Sequence, residues 1–127
     1  MLDVNPDTVC FLISKAREFH SKEEVVIPDT PDSPAEDWGL QALTEHMADV
    51  TLQEFKTTFA DLEPDQQRNV VALFWLGRGD YTARDWLYAL DAARQNATPW
   101  TAEYLIAHPQ LADYLLEGLA MMGYRCE

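Results

Sequence analysis

Histidines beside carboxylates are the residues here whose types and spacing suit chemistry. His20 is followed by Glu23 and Glu24, and Glu45 and His46 precede Asp49. Residues three or four apart share one helix face, so each set can offer an imidazole and a carboxylate to one divalent ion. The candidate metal set is therefore His20, Glu23, Glu45, His46 and Asp49. Its order, His-x-x-Glu and His-x-x-Asp, reverses the Glu-x-x-His of di-iron bundles, and no H-E-x-x-H occurs. With 22 acids among 127 residues a carboxylate falls near any histidine by chance. The plainer role for His20 and His46 is at helix C-termini, where partial positive charge is favourable.

Two loops carry the remaining candidates. In Pro28-Asp29-Thr30-Pro31-Asp32-Ser33-Pro34, Asp29 and Asp32 can clamp a hard cation or present a stiff acidic ridge to a basic partner. The segment lacks the central glycine and closing glutamate of an EF-hand, and a solvated connector explains it as well. In Gly77-Arg78-Gly79-Asp80 the Gly-flanked Arg78 can swing onto an anionic ligand or pair locally with Asp80. A G-x-G with no strand before it cradles no dinucleotide, so a helix-ending turn is the simpler expectation. Ser14 and Ser21 lack an evident base, no G-x-S-x-G occurs, and Cys10 sits in an apolar periodic run. No catalytic residue is assigned and no cofactor is expected.

These side chains must be positioned by helices. Asn5-Pro6-Asp7 starts one over about Pro6 to Ser21, with Val9, Leu12, Ile13, Ala16 and Phe19 at helical spacing. Residues 22–34 read as an extended Pro/Asp-rich loop. Ser33 and Glu36 have capping-box spacing ahead of a helix bearing Trp38, Leu40, Leu43 and Met47, and Thr51 and Glu54 repeat it ahead of Leu52, Phe55, Phe59 and Leu62. Pro64 opens the helix of Val70, Val71, Leu73, Phe74 and Leu76, too densely apolar to be half exposed, with Gly77 and Gly79 as its stops. Thr82 and Asp85 cap a helix with Trp86, Leu87, Leu90 and Ala93 on its apolar stripe. Thr98-Pro99 and His108-Pro109 open two more, the last ended by Gly123. No segment alternates as a strand does. The expectation is a single all-α domain over residues 1–127, a compact array of about seven short to medium helices.

Composition narrows the partners. A net charge of −13 opposes binding to phosphate backbones and anionic lipid, so neither nucleic acid nor membrane is expected as a direct partner. No apolar run spans a bilayer and Met1 to Asn5 does not open a secretory signal, which points to the cytoplasm. Two cysteines, Cys10 and Cys126, make no disulfide framework or zinc site and read as free thiols. Charge is divided unevenly: residues 1–65 carry 15 acids and 4 bases, residues 66–127 carry 7 acids and 5 bases. The second half also holds Trp75, Tyr81, Trp86, Tyr88, Trp100, Tyr104, Tyr114 and Tyr124, residue types that build cores and interface centres alike.

Leu2-Asp3-Val4-Asn5-Pro6 through Pro28-Asp29-Thr30-Pro31, Leu62-Glu63-Pro64-Asp65 to Leu76-Gly77-Arg78-Gly79-Asp80, and Thr101-Ala102-Glu103-Tyr104-Leu105 to Leu111-Ala112-Asp113-Tyr114-Leu115 carry a resemblance. Over nearly the whole chain the sequence resembles a family of short acidic, chiefly proteobacterial proteins classed as a domain of unknown function. The resemblance implies a single-domain bacterial protein and transfers no activity, cofactor or site residue. The expectation is a non-enzymatic interaction or regulatory module, with a protein partner that includes a second copy as homodimer. The alternatives are a metal-assisted hydrolase or small-molecule-binding helical protein using the His/carboxylate cluster, and an acidic nucleic-acid decoy that occupies a DNA-binding protein.

Overall fold

Asn5 is extended and its Oδ1 accepts the Asp7 N–H at 2.9 Å, while Pro6 takes a position where no N–H is required. Helix α1 therefore runs Pro6–His20, one residue short of the sequence expectation, and buries Val9, Leu12, Ile13, Ala16 and Phe19. The computed structural model describes residues 2–22 and 48–126. The expected helix that starts near Ser33 and carries Trp38, Leu40, Leu43 and Met47, and nearly all of the 22–34 loop, lie outside the described residues.

Helix α2, Val50–Ala60, is capped by Asp49 and not by Thr51 as the Thr51/Glu54 spacing suggested. The Asp49 carboxylate accepts the Leu52 N–H at 3.0 Å, placing negative charge at the helix start, and Thr51 faces inward, 8% exposed. Helix α3, Pro64–Arg78, opens with a reciprocal Glu63/Gln66 box and closes on Gly79, whose φ of 98° is the left-handed turn that glycine adopts without strain. A single 3-10 turn, Ala83–Asp85, leads into α4, Trp86–Gln95, and is followed by α5, Thr101–Ile106, and α6, Leu111–Met121, ended at Gly123. Among the described residues there are thus six α-helices and no strand, an all-α fold.

Helices α3 and α6 form the most extensive interface. Every residue from Asn69 to Leu76 is buried, so α3 is the central helix that its apolar density predicted. Gly77, expected to stop it, lies inside it for another reason. A Cβ built there would fall on the Tyr114 carbonyl, 2.5 Å from its carbon. One built on Gly118 would fall on the Leu73 carbonyl, 2.8 Å from its carbon. The pairings 77 with 114 and 73 with 118 run in opposite directions, so two antiparallel helices touch backbone to backbone at two glycines one turn from each partner's contact point. Around this pair, α1 packs on α2 and α6, α4 lies on the flank of α3, and α5 meets α2.

Between α2 and α5, Lys56 Nζ lies 2.9 Å from Glu103 Oε2, with the glutamate side chain only 5% exposed. Removing the lysine leaves that carboxylate buried and uncompensated. Lys56→Met is expected to lower stability by about 2 kcal/mol, and adding Glu103→Gln to recover part of the loss. Urea unfolding of both variants measures it.

The cysteines depart from expectation. Cys10 on α1 and Cys126, beyond α6, are joined in a disulfide across 116 positions of sequence. Nothing in their local spacing reports this, because α1 meets α6 only in the folded chain. Disulfides persist in oxidising compartments and are reduced in most cytosols, so this bond and the cytoplasmic expectation make opposing demands.

Candidate functional site

The turn after α3 gathers the densest set of polar and aromatic groups. The Arg78 Nε–H donates to Asp80 Oδ2 at 2.6 Å, its guanidinium carbon lies 4.9 Å from the Phe74 ring centre, and Nη1 stands 3.4 Å from His108 Nε2. His108, read from sequence as a helix-start residue, is 4% exposed. Its Nδ1–H donates to the Tyr104 carbonyl at 2.9 Å, and since a carbonyl only accepts, Nε2 is the lone-pair nitrogen that faces Arg78. The Trp75 indole N–H donates to the Tyr104 hydroxyl at 3.0 Å, and burial pushes that hydroxyl's pKa up. Phe74 touches Tyr104, His108 and Tyr114 at ring distances of 5.9, 4.7 and 5.7 Å.

This arrangement fastens the end of α3 to α5 and the start of α6. Of the two roles open to Arg78, the geometry shows the local pair with Asp80, and the same side chain also engages the Phe74 face and His108. The groups hold one another in place, and a cleft of about 290 Å³ beside them is lined by His108, Pro109, Gln110 and Tyr114. A second cleft, of about 280 Å³, lies between the N-terminal segment, α3 and α4. Two ion pairs line it, Arg68 with Asp65 at 3.7 Å and Arg94 with Asp91 at 2.7 Å, and Asp3 adds a third carboxylate. Its buried Asn69 accepts the Asp3 N–H and donates to the Asp65 carbonyl, both at 2.9 Å.

Of the metal candidates, Glu23, Glu45 and His46 lie outside the described residues, as do Asp29 and Asp32. The other two have structural partners. Asp49 caps α2 through one oxygen and takes Lys22 Nζ at 2.6 Å on the other. The His20 Nε2–H donates to the Ile106 carbonyl at 2.7 Å, tying the C-terminus of α1 to that of α5. Among the described residues no group of three or more His, Cys, Asp or Glu side chains is placed to hold a metal ion.

His20 also gives a pH signature. Its burial lowers its pKa below the ordinary 6.5, only partly opposed by the bond to Ile106, and among the described residues its buried Nδ1 has no partner. A base whose pKa is lower when folded takes up its proton more readily when unfolded. The stability this confers is complete above pH 6.5 and is lost as pH falls from there through the depressed folded value. Thermal unfolding followed from pH 7.5 to 5 is expected to show a falling midpoint, with a flatter profile in His20→Gln, which keeps a donor for Ile106. Coincident profiles would remove His20 as the cause.

The feature that sequence pattern missed is the outer face of α4. The apolar stripe was expected to include Leu87, yet Leu87 is 78% and Tyr88 74% exposed. The helix rests on α3 through Trp86, Ala89 and Ala93, and Leu87 is rotated about 100° from Trp86. Ala89 and Ala93 are the signal that could have found this, since small residues mark the face where one helix approaches another closely.

Residues 52–124, from the first turn of α2 to just beyond α6, match the model of a family described as "Protein of unknown function (DUF3775)". No curated protein and no solved structure matches the chain. No helix among the described residues is long and apolar enough to cross a membrane.

Proposed function

Starting from the chain's membership of the DUF3775 family, whose matched span contains α3, α4, α5 and α6 in full, we propose that it is a protein-interaction module that docks its partner on the outer face of α4. The observation that carries this is the exposure of Leu87 and Tyr88 side by side on a helix whose opposite face is well packed. Aromatic and large aliphatic side chains of this kind dominate the centres of protein interfaces. The acidic remainder of the surface supports the reading, because it keeps the chain soluble and turns away nucleic acid and anionic lipid.

Both side chains leave the core untouched, so Leu87→Ser/Tyr88→Ser is expected to change stability by less than about 0.5 kcal/mol. Affinity capture from the native cell is expected to recover a complex with the wild-type chain and to lose it with the double variant. Equal recovery by both would overturn the proposal.

A further inference from the structure

We propose that the Cys10–Cys126 disulfide is a thiol-exchange switch: a dithiol reductant opens it while the helices stay folded, and the segment after α6 is then freed from α1. The switch uses no residue of the α4 face. Helices α1 and α6 meet along one seam, and two side-chain ties span it. Cys126, beyond the end of α6, is bonded to Cys10 in the first half of α1, while Arg17 in the last turn of α1 reaches Asp113 in the first turn of α6 at 3.9 Å. The ties are unequal. Arg17 and Asp113 have side chains 56% and 76% exposed, and an ion pair of that kind adds little. The Tyr124 N–H donates to the Leu119 carbonyl at 2.9 Å, a bond that closes α6 upon itself and does not reach α1. Residues 124–126 belong to no helix, and the disulfide is what carries them onto α1.

Two features suit this bond to reversible opening. Both cysteines are half-buried at the edge of the core, so neither is enclosed against an incoming thiolate. The centre of the core does without them: Leu12 and Phe19 of α1, Phe55 of α2, Leu73 and Phe74 of α3, and Leu105 of α5 are all completely buried. In the exchange, one thiolate of the dithiol attacks a sulfur of the bond and forms a mixed disulfide, and the other cysteine leaves as a thiolate that takes up a proton. The second thiolate of the dithiol then displaces the remaining cysteine. Two electrons pass to the protein, which gains two thiols, and the dithiol becomes a disulfide. Closure is the reverse reaction with a disulfide oxidant. Opening withdraws Cys126 from the core edge and bares the face of α1 around Cys10.

Backbone nitrogen relaxation of the full chain, oxidised and then equilibrated with excess dithiothreitol in the absence of denaturant, tests this. Order parameters at Tyr124 and Arg125 are expected to fall from about 0.85 to below about 0.6 on reduction, while those of α3 stay near 0.85. Oxidised glutathione is expected to restore the first values. Cys10→Ser/Cys126→Ser is expected to match the reduced chain whether or not dithiothreitol is present. A bond that yields to dithiothreitol only after denaturant is added, or unchanged order parameters at 124 and 125, would overturn the proposal. So would loss of order throughout α3 on reduction, which would make the bond a staple of the whole fold and not a switch.

Discussion

Alanine at Gly118 or Gly77 is expected to cost about 3 kcal/mol or more, the reverse of the modest gain that Gly→Ala usually brings inside a helix. The cause is the meeting of α3 and α6. Each new Cβ lands on a carbonyl of the facing backbone, Tyr114 for position 77 and Leu73 for position 118, and a backbone cannot swing aside as a flexible side chain can. Relief requires the two helices to separate, which loosens Leu73, Phe74, Leu115 and Leu119 together, all completely buried. One separation relieves both clashes, so the double variant is expected to cost clearly less than the sum of the single changes. Gly79→Ala is the contrasting case: nothing lies within 4 Å of its Cβ, and the cost comes only from the φ of 98°. Urea denaturation followed by helical circular dichroism measures all four. A neutral or stabilising Gly118→Ala would show that the helices do not approach this closely.

Reduction of Cys10–Cys126 is expected to lower the free energy of unfolding by about 4 to 5 kcal/mol on the chain-entropy argument. The bond closes a loop across 116 sequence positions, nearly the whole chain, so the unfolded oxidised chain has far fewer conformations than the reduced one. The folded state itself changes little, because the buried apolar residues come from every helix and both cysteines are only packed against the edge of that core. Urea midpoints with and without a reducing dithiol, set beside Cys10→Ser/Cys126→Ser, measure the effect. Matching midpoints for all samples, with two titratable thiols in the untreated protein, would show that the bond does not form. Both cysteines lie outside residues 52–124, the span that the family model matches.

Local signals in the sequence located the helices well. Pro6 and Pro64 open α1 and α3, Gly79 and Gly123 close α3 and α6, and the uninterrupted apolar run after Asn69 marks the central helix. These signals act within a turn or two of chain, and they are read from residue type alone. What escaped depends on which distant element lies opposite. Gly77 reads as a stop until α6 is seen against it, and Leu87 reads as core until the buried face of α4 is seen to be that of Trp86, Ala89 and Ala93. Cys10 and Cys126 read as separate thiols for the same reason, being 116 positions apart. His108 reads as a helix-start residue until Tyr104, Phe74 and Arg78 are placed around it. Arg78 and Asp80 were legible as a local pair, their spacing of two being all that the contact requires.

The central claim is that the exposed face of α4 is where another polypeptide sits, and photo-crosslinking in the native cell tests it most directly. With benzoylphenylalanine in place of Tyr88, irradiation is expected to give a discrete adduct heavier than the monomer. The same group in place of Asp61, exposed between α2 and α3, is expected to give none. No adduct from position 88, or the same adduct from both positions, would contradict the account.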